Sequence, residues 1–254
     1  MNEKSKKQAL DELERKQELL NRRLNAQRDR INDRFDKKKA QLDGKLNSKQ
    51  EQIITAALEL LAEKGLNDLS LRDIAKKLDM KAPTLYWYFK SKSELIDYMA
   101  EAMLKREFNG VKPRAKDEAW QDWLNAYMGK LRKAMLAYPD GGRVVAGAHL
   151  YPAKTLVQIF GDSTISLTSA GIDQKTALHT VMTTIQFTFG FVIEEQSGPT
   201  QDELASIKKT QRRGFADAYP EFAQAVEEYM SGAGSEDRAY AAGLRLIIKG
   251  TEAE

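Results

Sequence analysis

Cysteine is absent from the 254 residues, which excludes disulfides, thiolate nucleophiles and every thiolate metal site. Histidine occurs only as His149 and His179, too few for an imidazole cluster, so neither a metal nor a cofactor is expected. No run approaches the roughly 18 uninterrupted apolar residues of a membrane span. Behind Met1 the chain is charged, with no apolar signal core. A soluble, cytoplasmic protein without a membrane partner is therefore expected. No nucleophile–base spacing, metal-ligand run or glycine-rich phosphate loop points to an enzyme.

What is present is enough apolar residue, 42%, to build one large or two small domains. The net charge of +3 conceals a segregation. Residues 1–50 hold 15 Lys and Arg against 9 Asp and Glu, so the basic part lies at the N-terminus and the remainder is acidic. Such asymmetry suits a polyanion near that end, although a solvated charged helix gives the same count.

Neither Pro nor Gly interrupts Glu3 to Asp43, which predicts one long helix. Its apolar residues Leu13, Leu24, Phe35 and Leu46 recur every eleven positions, as do Ala9, Leu20, Ile31 and Leu42. An eleven-residue period is about 3.67 residues per turn, a nearly straight stripe. Two readings stand side by side: a partly docked, solvated helix, or an arm whose Arg22, Arg23, Arg28, Arg30, Arg34, Lys37, Lys38 and Lys39 lie along flanking DNA. A third use is a stripe that binds a partner helix, making the chain a DNA-localised interaction protein.

Ser48 and Glu51 have capping-box spacing, and Ile53, Ile54, Ala57, Leu58 and Leu61 recur at helical intervals up to Gly65. Ser70 can cap a two-turn helix that buries Leu71, Ile74, Ala75 and Leu78. Asp79 tolerates the left-handed conformation of a tight turn, and Pro83 falls in the first turn of a third helix. Ser91 and Glu94 repeat the capping box and open a fourth helix to about Phe108. Helical patterns follow near 117–138, 153–160, 173–196, 201–218 and 236–249, punctuated by Pro139-Asp140-Gly141-Gly142, Ser197-Gly198-Pro199 and Ser231-Gly232-Ala233-Gly234. No alternating segment reads as a strand, so the fold class is all-α. The expected parts are a long charged helical extension (1–47), a helix-turn-helix domain (48–109) and a helical regulatory and dimerisation domain (110–254).

A short helix, a tight turn and a second helix with exposed polar residues is the arrangement that places a helix in the major groove. Leu85 and Phe89, four apart, face inward. Lys81, Ala82, Thr84, Tyr86, Trp87 and Tyr88 are left on or near the surface, where phenol hydroxyls reach phosphates and an indole packs on sugars or thymine methyls. The competing reading of Trp87 and Tyr86 is plain core.

The run Leu78-Asp79-Met80-Lys81-Ala82-Pro83-Thr84-Leu85-Tyr86-Trp87-Tyr88-Phe89-Lys90-Ser91-Lys92-Ser93-Glu94-Leu95 resembles the DNA-binding domain of the TetR family. Pro83 to Trp87 is similar to the recognition helix of its tetracycline-repressor branch. The resemblance implies double-stranded operator DNA as partner, with Ser70, Arg72, Lys81, Ala82, Pro83 and Trp87 on the DNA-reading face and Thr84, Tyr86, Tyr88 and Lys92 on phosphates. Lys92 also opens a helix, where free amides favour an anion. Ala82 stands where that branch carries a base-gripping glutamine and Lys81 where it carries a glutamate, so the operator should differ.

Gln186 to Gln196 and Tyr138 to Gly142 are similar to the same branch's C-terminal domain. The family plan implies a homodimer in which 173–196 and 236–249 pair with their copies. Phe108, Tyr127, Leu131 and Gln186 stand where tetracycline repressors hold polar drug- or magnesium-binding side chains; Glu194 alone is kept. The resemblance thus implies an unidentified small-molecule effector other than tetracycline. Its candidate pocket is Phe108, Tyr127, Leu131, His149, Gln186, Phe187, Phe191 and Glu194. Plain core for the aromatics, and a satisfied buried or rim histidine for His149, are the competing readings. A repressor released by its effector is expected, and activation stays open.

Overall fold

The computed structural model describes residues 48–198, 214, 216–230 and 234–252. The chain divides into two compact units, 1–52 and 53–254. The eleven-residue stripe, the eight basic residues from Arg22 to Lys39 and most of the helix expected over 201–218 lie outside the described residues.

Among the described residues every regular element is helical. The described chain opens with α1 (48–64), α2 (Leu71–Lys77) and α3 (Ala82–Leu85), followed by α4 (Lys92–Phe108). Beyond them come α5 (Trp120–Leu136), α6 (Gly141–Ala146), α7 (Lys154–Ser169), α8 (Gln174–Ser197), α9 (Pro220–Met230) and α10 (Ser235–Glu252).

The periodicity seen in α1 is its buried face: Ile53, Ala57 and Leu61 are fully enclosed. Gly65 then takes φ +75, a left-handed backbone that costs glycine nothing and ends the helix. Ser91 accepts the Glu94 amide at the start of α4, while the Glu94 carboxylate reaches back to the amide of Lys90. These reciprocal bonds offset the free donors of a helix N-terminus.

Two boundaries differ from expectation. Pro139-Asp140-Gly141-Gly142 leads directly into α6 rather than a loop, because Gly141 lets the chain turn tightly against α5. A Cβ on Gly141 would lie 1.9 Å from the Met135 carbonyl oxygen. The helix expected over 153–160 continues to Ser169. Its second half is rich in Ser and Thr, poor helix formers in isolation. There Thr164, Thr168 and Ser169 donate back to backbone carbonyls of the preceding turn, and burial of Leu167 holds the face in place against the cost of the buried Ser163 and Ser166 hydroxyls, which have no partner among the described residues. Helix α9 was not anticipated.

Helix α8 is the hub, packed by α5, α6, α7 and α10. By length and composition alone it could cross a membrane. Its buried polar face is a ladder in which Thr180, Thr184 and Thr188 each donate to the carbonyl four residues earlier. That pattern satisfies every hydroxyl locally, so threonine can be buried without penalty.

Candidate nucleic-acid interface

The interface begins with a cap. Ser70 is extended and its hydroxyl accepts the Asp73 amide at 3.2 Å. It also donates to the Asp73 carboxylate at 2.6 Å. Lys64 at the end of α1 joins the same carboxylate at 2.7 Å. Hydrogen bonds from Lys64 and Ser70 hold the Asp73 carboxyl below its ordinary value. This triad fixes α2 on α1.

The turn to α3 rests on Asp79, whose φ of 49 is left-handed, and on the Met80 amide, which reaches the Ala75 carbonyl at 2.8 Å. Helix α3 is a single turn with Lys81 as its N-cap and Pro83 inside it. The chain continues as hydrogen-bonded turns through Tyr88, whose amide bonds the Leu85 carbonyl at 3.0 Å.

Two adjacent pairs of side chains then part company. Leu85 and Phe89 are fully buried, while Tyr86 is 51% and Trp87 is 88% exposed. Phe89 meets Tyr98 of α4 edge-on at 5.4 Å, so this core pair pins the recognition helix to the domain. Arg72, Lys81, Pro83 and Thr84 are exposed as well; Ala82 and Tyr88 are half-buried. Tyr86 and Trp87 together form an exposed aromatic pair just past the end of α3, apolar surface that a docked partner would cover.

Lys92 is placed differently. Its ammonium donates to the Leu66 carbonyl at 3.0 Å, tying α4 to the turn after α1. Another tie to that turn is long-range and has almost no local sequence signal. Asp140, with φ 56, accepts the Leu66 amide at 2.8 Å, and Arg143 bridges Asp140 to the Asn67 side chain at 3.0 Å each. The only sequence signal for it was the Pro-Asp-Gly-Gly run.

The eight residues read as an effector pocket fall in different places. Phe108, Tyr127 and Leu131 are buried. Tyr127 meets Phe108 edge-on at 5.1 Å and stacks on Trp123 at 4.3 Å. Its hydroxyl donates to Asp162 at 3.0 Å, and burial pushes the phenol upward. Phe187 and Phe191 belong to a second group around Tyr240. Arg132 there lies 5.0 Å over the Tyr240 ring and pairs with Glu195 at 2.7 Å and Asp237 at 2.6 Å. Burial raises Tyr240 to about 12. The candidate aromatic residues thus fall into two separate ring clusters, one around Tyr127 and one around Tyr240. Gln186 and Glu194 are exposed. His149 is a satisfied rim residue: its ring is exposed, but its amide and Nδ1 both engage Asp97 of α4, at 2.8 and 3.2 Å. A cleft of about 300 Å³ opens beside the end of α4, and of the eight only Phe108 lines it.

Residues 53–99 match the family "Bacterial regulatory proteins, tetR family", and residues 112–254 match "Tetracyclin repressor-like, C-terminal domain". The chain belongs to the TetR family. The tetracycline repressor protein class A from transposon 1721 of Escherichia coli is 34% identical over 200 residues, covering 78% of this chain and 88% of that protein. A possible TetR family transcriptional regulator from Streptomyces coelicolor A3(2) superposes with a TM-score of 0.68 at 28% identity, over 80% of this chain and 98% of the other. A TetR variant from Acinetobacter baumannii AYE, solved in complex with minocycline, gives 0.60 at 28% identity over 79% and 94%. The TetR-family assignment makes the chain a DNA-binding transcription regulator with a helix-turn-helix domain and a helical C-terminal domain.

Proposed function

We propose that this TetR-family chain is a homodimeric repressor that is released from a palindromic operator by a small-molecule effector other than tetracycline. The observation that carries the DNA-binding half is the exposure of Tyr86 and Trp87 beside the buried anchors Leu85 and Phe89. In this reading Arg72, Lys81, Ala82, Pro83 and Trp87 face base edges, and Thr84, Tyr86 and Tyr88 hold phosphates. Ser70 sets the angle of α2, and Lys92 trades its Leu66 carbonyl for a phosphate or stays a brace. Ala82 offers only methyl contact and Lys81 favours guanine or a phosphate, so the operator differs from that of tetracycline repressors.

The domain assignment follows the same lines: 48–109 reads DNA, 110–254 senses ligand and pairs subunits, and the basic 1–47 adds sequence-independent affinity along flanking DNA. The protein acts in the cytoplasm and catalyses no reaction. Apolar side chains exposed on α8 and α10, namely Leu178, Met182 and Leu246, support pairing with their copies. The dimer would space its recognition helices one DNA turn apart, roughly 34–36 Å. Effector binding would favour another spacing, and a tenfold loss of operator affinity needs about 1.4 kcal/mol of coupling.

The test is selection of bound duplexes from a random pool by the full-length protein, then titration of the winner at several salt concentrations. A palindromic winner bound by a dimer is expected. Sequence-blind, purely salt-sensitive binding would overturn the reading.

A further inference from the structure

The cleft at the end of α4 has a chemistry of its own. Its walls are Glu101, Lys105 and Phe108 of α4, Asn109 to Val111 of the following turn, and Lys154, Thr155 and Gln158 of α7. At about 300 Å³ it lies at the lower end of small-molecule sites. Three charged side chains face it. The Glu101 carboxylate is already committed, accepting the Thr155 amide at 2.7 Å and the Thr155 hydroxyl at 2.9 Å. Lys105 and Lys154 have no ion-pair partner among the described residues. One face of the cleft is apolar, from Phe108 and Val111, and a Cβ at Gly110 would meet open space. The cleft therefore presents two lysines without an ion-pair partner among the described residues, one carboxylate already bonded to Thr155, and a small apolar wall.

We propose that this cleft takes a compact organic carboxylate, an aromatic or short-chain acid, with its carboxylate between Lys105 and Lys154 and its apolar body on Phe108 and Val111. The two lysines line the cleft from different helices, Lys105 from α4 and Lys154 from α7, so an anion held by both draws the two helices together. Helix α4 carries at its other end the Ser91 cap and the Phe89–Tyr98 contact of the DNA-reading domain. A force applied between α4 and α7 is thus felt at α3. As an effector site this deepens the ligand-released repressor reading and rests on it, whereas the binding chemistry stands on the cleft alone.

Isothermal titration of the full-length protein without DNA tests the site. The probes are benzoate, phenylacetate and hexanoate, each against its own primary amide, which keeps the body and removes the charge. At least one carboxylate is expected to bind about tenfold or more tighter than its amide. The preference should vanish in the Lys105→Gln, Lys154→Gln double variant, whose substitutions lie at exposed positions and leave far-UV circular dichroism unchanged. Parity of all three pairs in the unmodified protein, or a preference that survives the double variant, would overturn the proposal. Operator affinity is then measured with and without the best carboxylate. Binding without release overturns only the effector role and leaves the site standing. Failure to select any operator sinks the repressor reading without touching the calorimetry.

Discussion

The carboxylate of Asp140, one residue before α6, accepts the backbone amide of Leu66 at 2.8 Å across 74 positions of sequence. The approach is close enough that a Cβ on Gly65 would lie 3.0 Å from that same oxygen. A left-handed residue on each side, Gly65 and Asp140, therefore shapes the contact between the turn after α1 and the start of α6. Arg143 braces it through Asn67.

Removing the carboxylate should loosen both folding and DNA binding. Asp140→Ala leaves a half-buried amide without its acceptor, about 1–3 kcal/mol, and asks alanine to hold a left-handed backbone for roughly another 1–2 kcal/mol. Asp140→Asn keeps an acceptor and a side chain that tolerates that backbone. Urea denaturation should rank the wild type above Asn and Asn above Ala, and operator affinity should fall in the same order. Equal midpoints for Asn and Ala would show that the Leu66 contact contributes nothing.

The aromatic pair at the recognition helix should separate stability from binding. Trp87 is exposed, so Trp87→Ala should leave the unfolding free energy within about 0.5 kcal/mol while lowering operator affinity about tenfold or more. Phe89→Ala removes a fully buried ring and should cost about 3–5 kcal/mol. Thermal unfolding and band-shift titration of the two variants check the contrast. A stability loss in Trp87→Ala comparable to that of Phe89→Ala would place the indole in the core.

This contrast was legible in the sequence, because burial in a short helix follows spacing: Leu85 and Phe89 are four apart, and two further aromatics cannot share their face. The caps at Ser70 and Ser91 and the left-handed Asp79 were legible for the same reason, since each depends on its own side chain and the next few residues. The packing partners of the candidate aromatic residues were not. Phe108, Tyr127, Phe187 and Phe191 have helical spacing whether they line a cavity or pack on one another, and partners such as Trp123 and Tyr240 are decided by which helices meet. The hook from Asp140 to Leu66 is likewise a long-range contact, invisible to periodicity. The second half of α7 was missed because its Ser and Thr content lowers local propensity, while burial against the core and back-bonded hydroxyls override it.

Two glycines of α10 should respond in opposite directions. A Cβ on Gly243 would meet the Phe187 ring at 2.3 and 2.7 Å, and Phe187 is itself stacked on Tyr240 at 5.6 Å. Gly243→Ala should therefore overpack the α8–α10 contact and destabilise by about 1–3 kcal/mol. Gly250 has nothing within 4 Å, so Gly250→Ala should stabilise by up to about 1 kcal/mol through helix propensity alone. Differential scanning calorimetry of both variants at one protein concentration checks the signs. Subunit pairing is read alongside by sedimentation, because α10 also carries the exposed Leu246.

Acid should act on the helix-turn-helix through Asp73. Hydrogen bonds from Lys64 and Ser70 hold its carboxyl below the ordinary 3.8. The folded form therefore binds that proton less readily than the unfolded chain does. Stability from this group is fully present above the unfolded value and is lost as pH falls through the depressed folded value. The amide of Asp73→Asn cannot titrate, so the variant should be less stable than the wild type at neutral pH and should converge on it below roughly pH 4. Because Asp73 and Lys64 are both partly open to solvent, salt should shrink the neutral-pH gap. Urea midpoints at several pH values, at low and high salt, measure it. A gap that stayed constant down to the lowest pH would mean that the Asn cost is steric, and that the Lys64 and Ser70 bonds do not select the charged carboxylate.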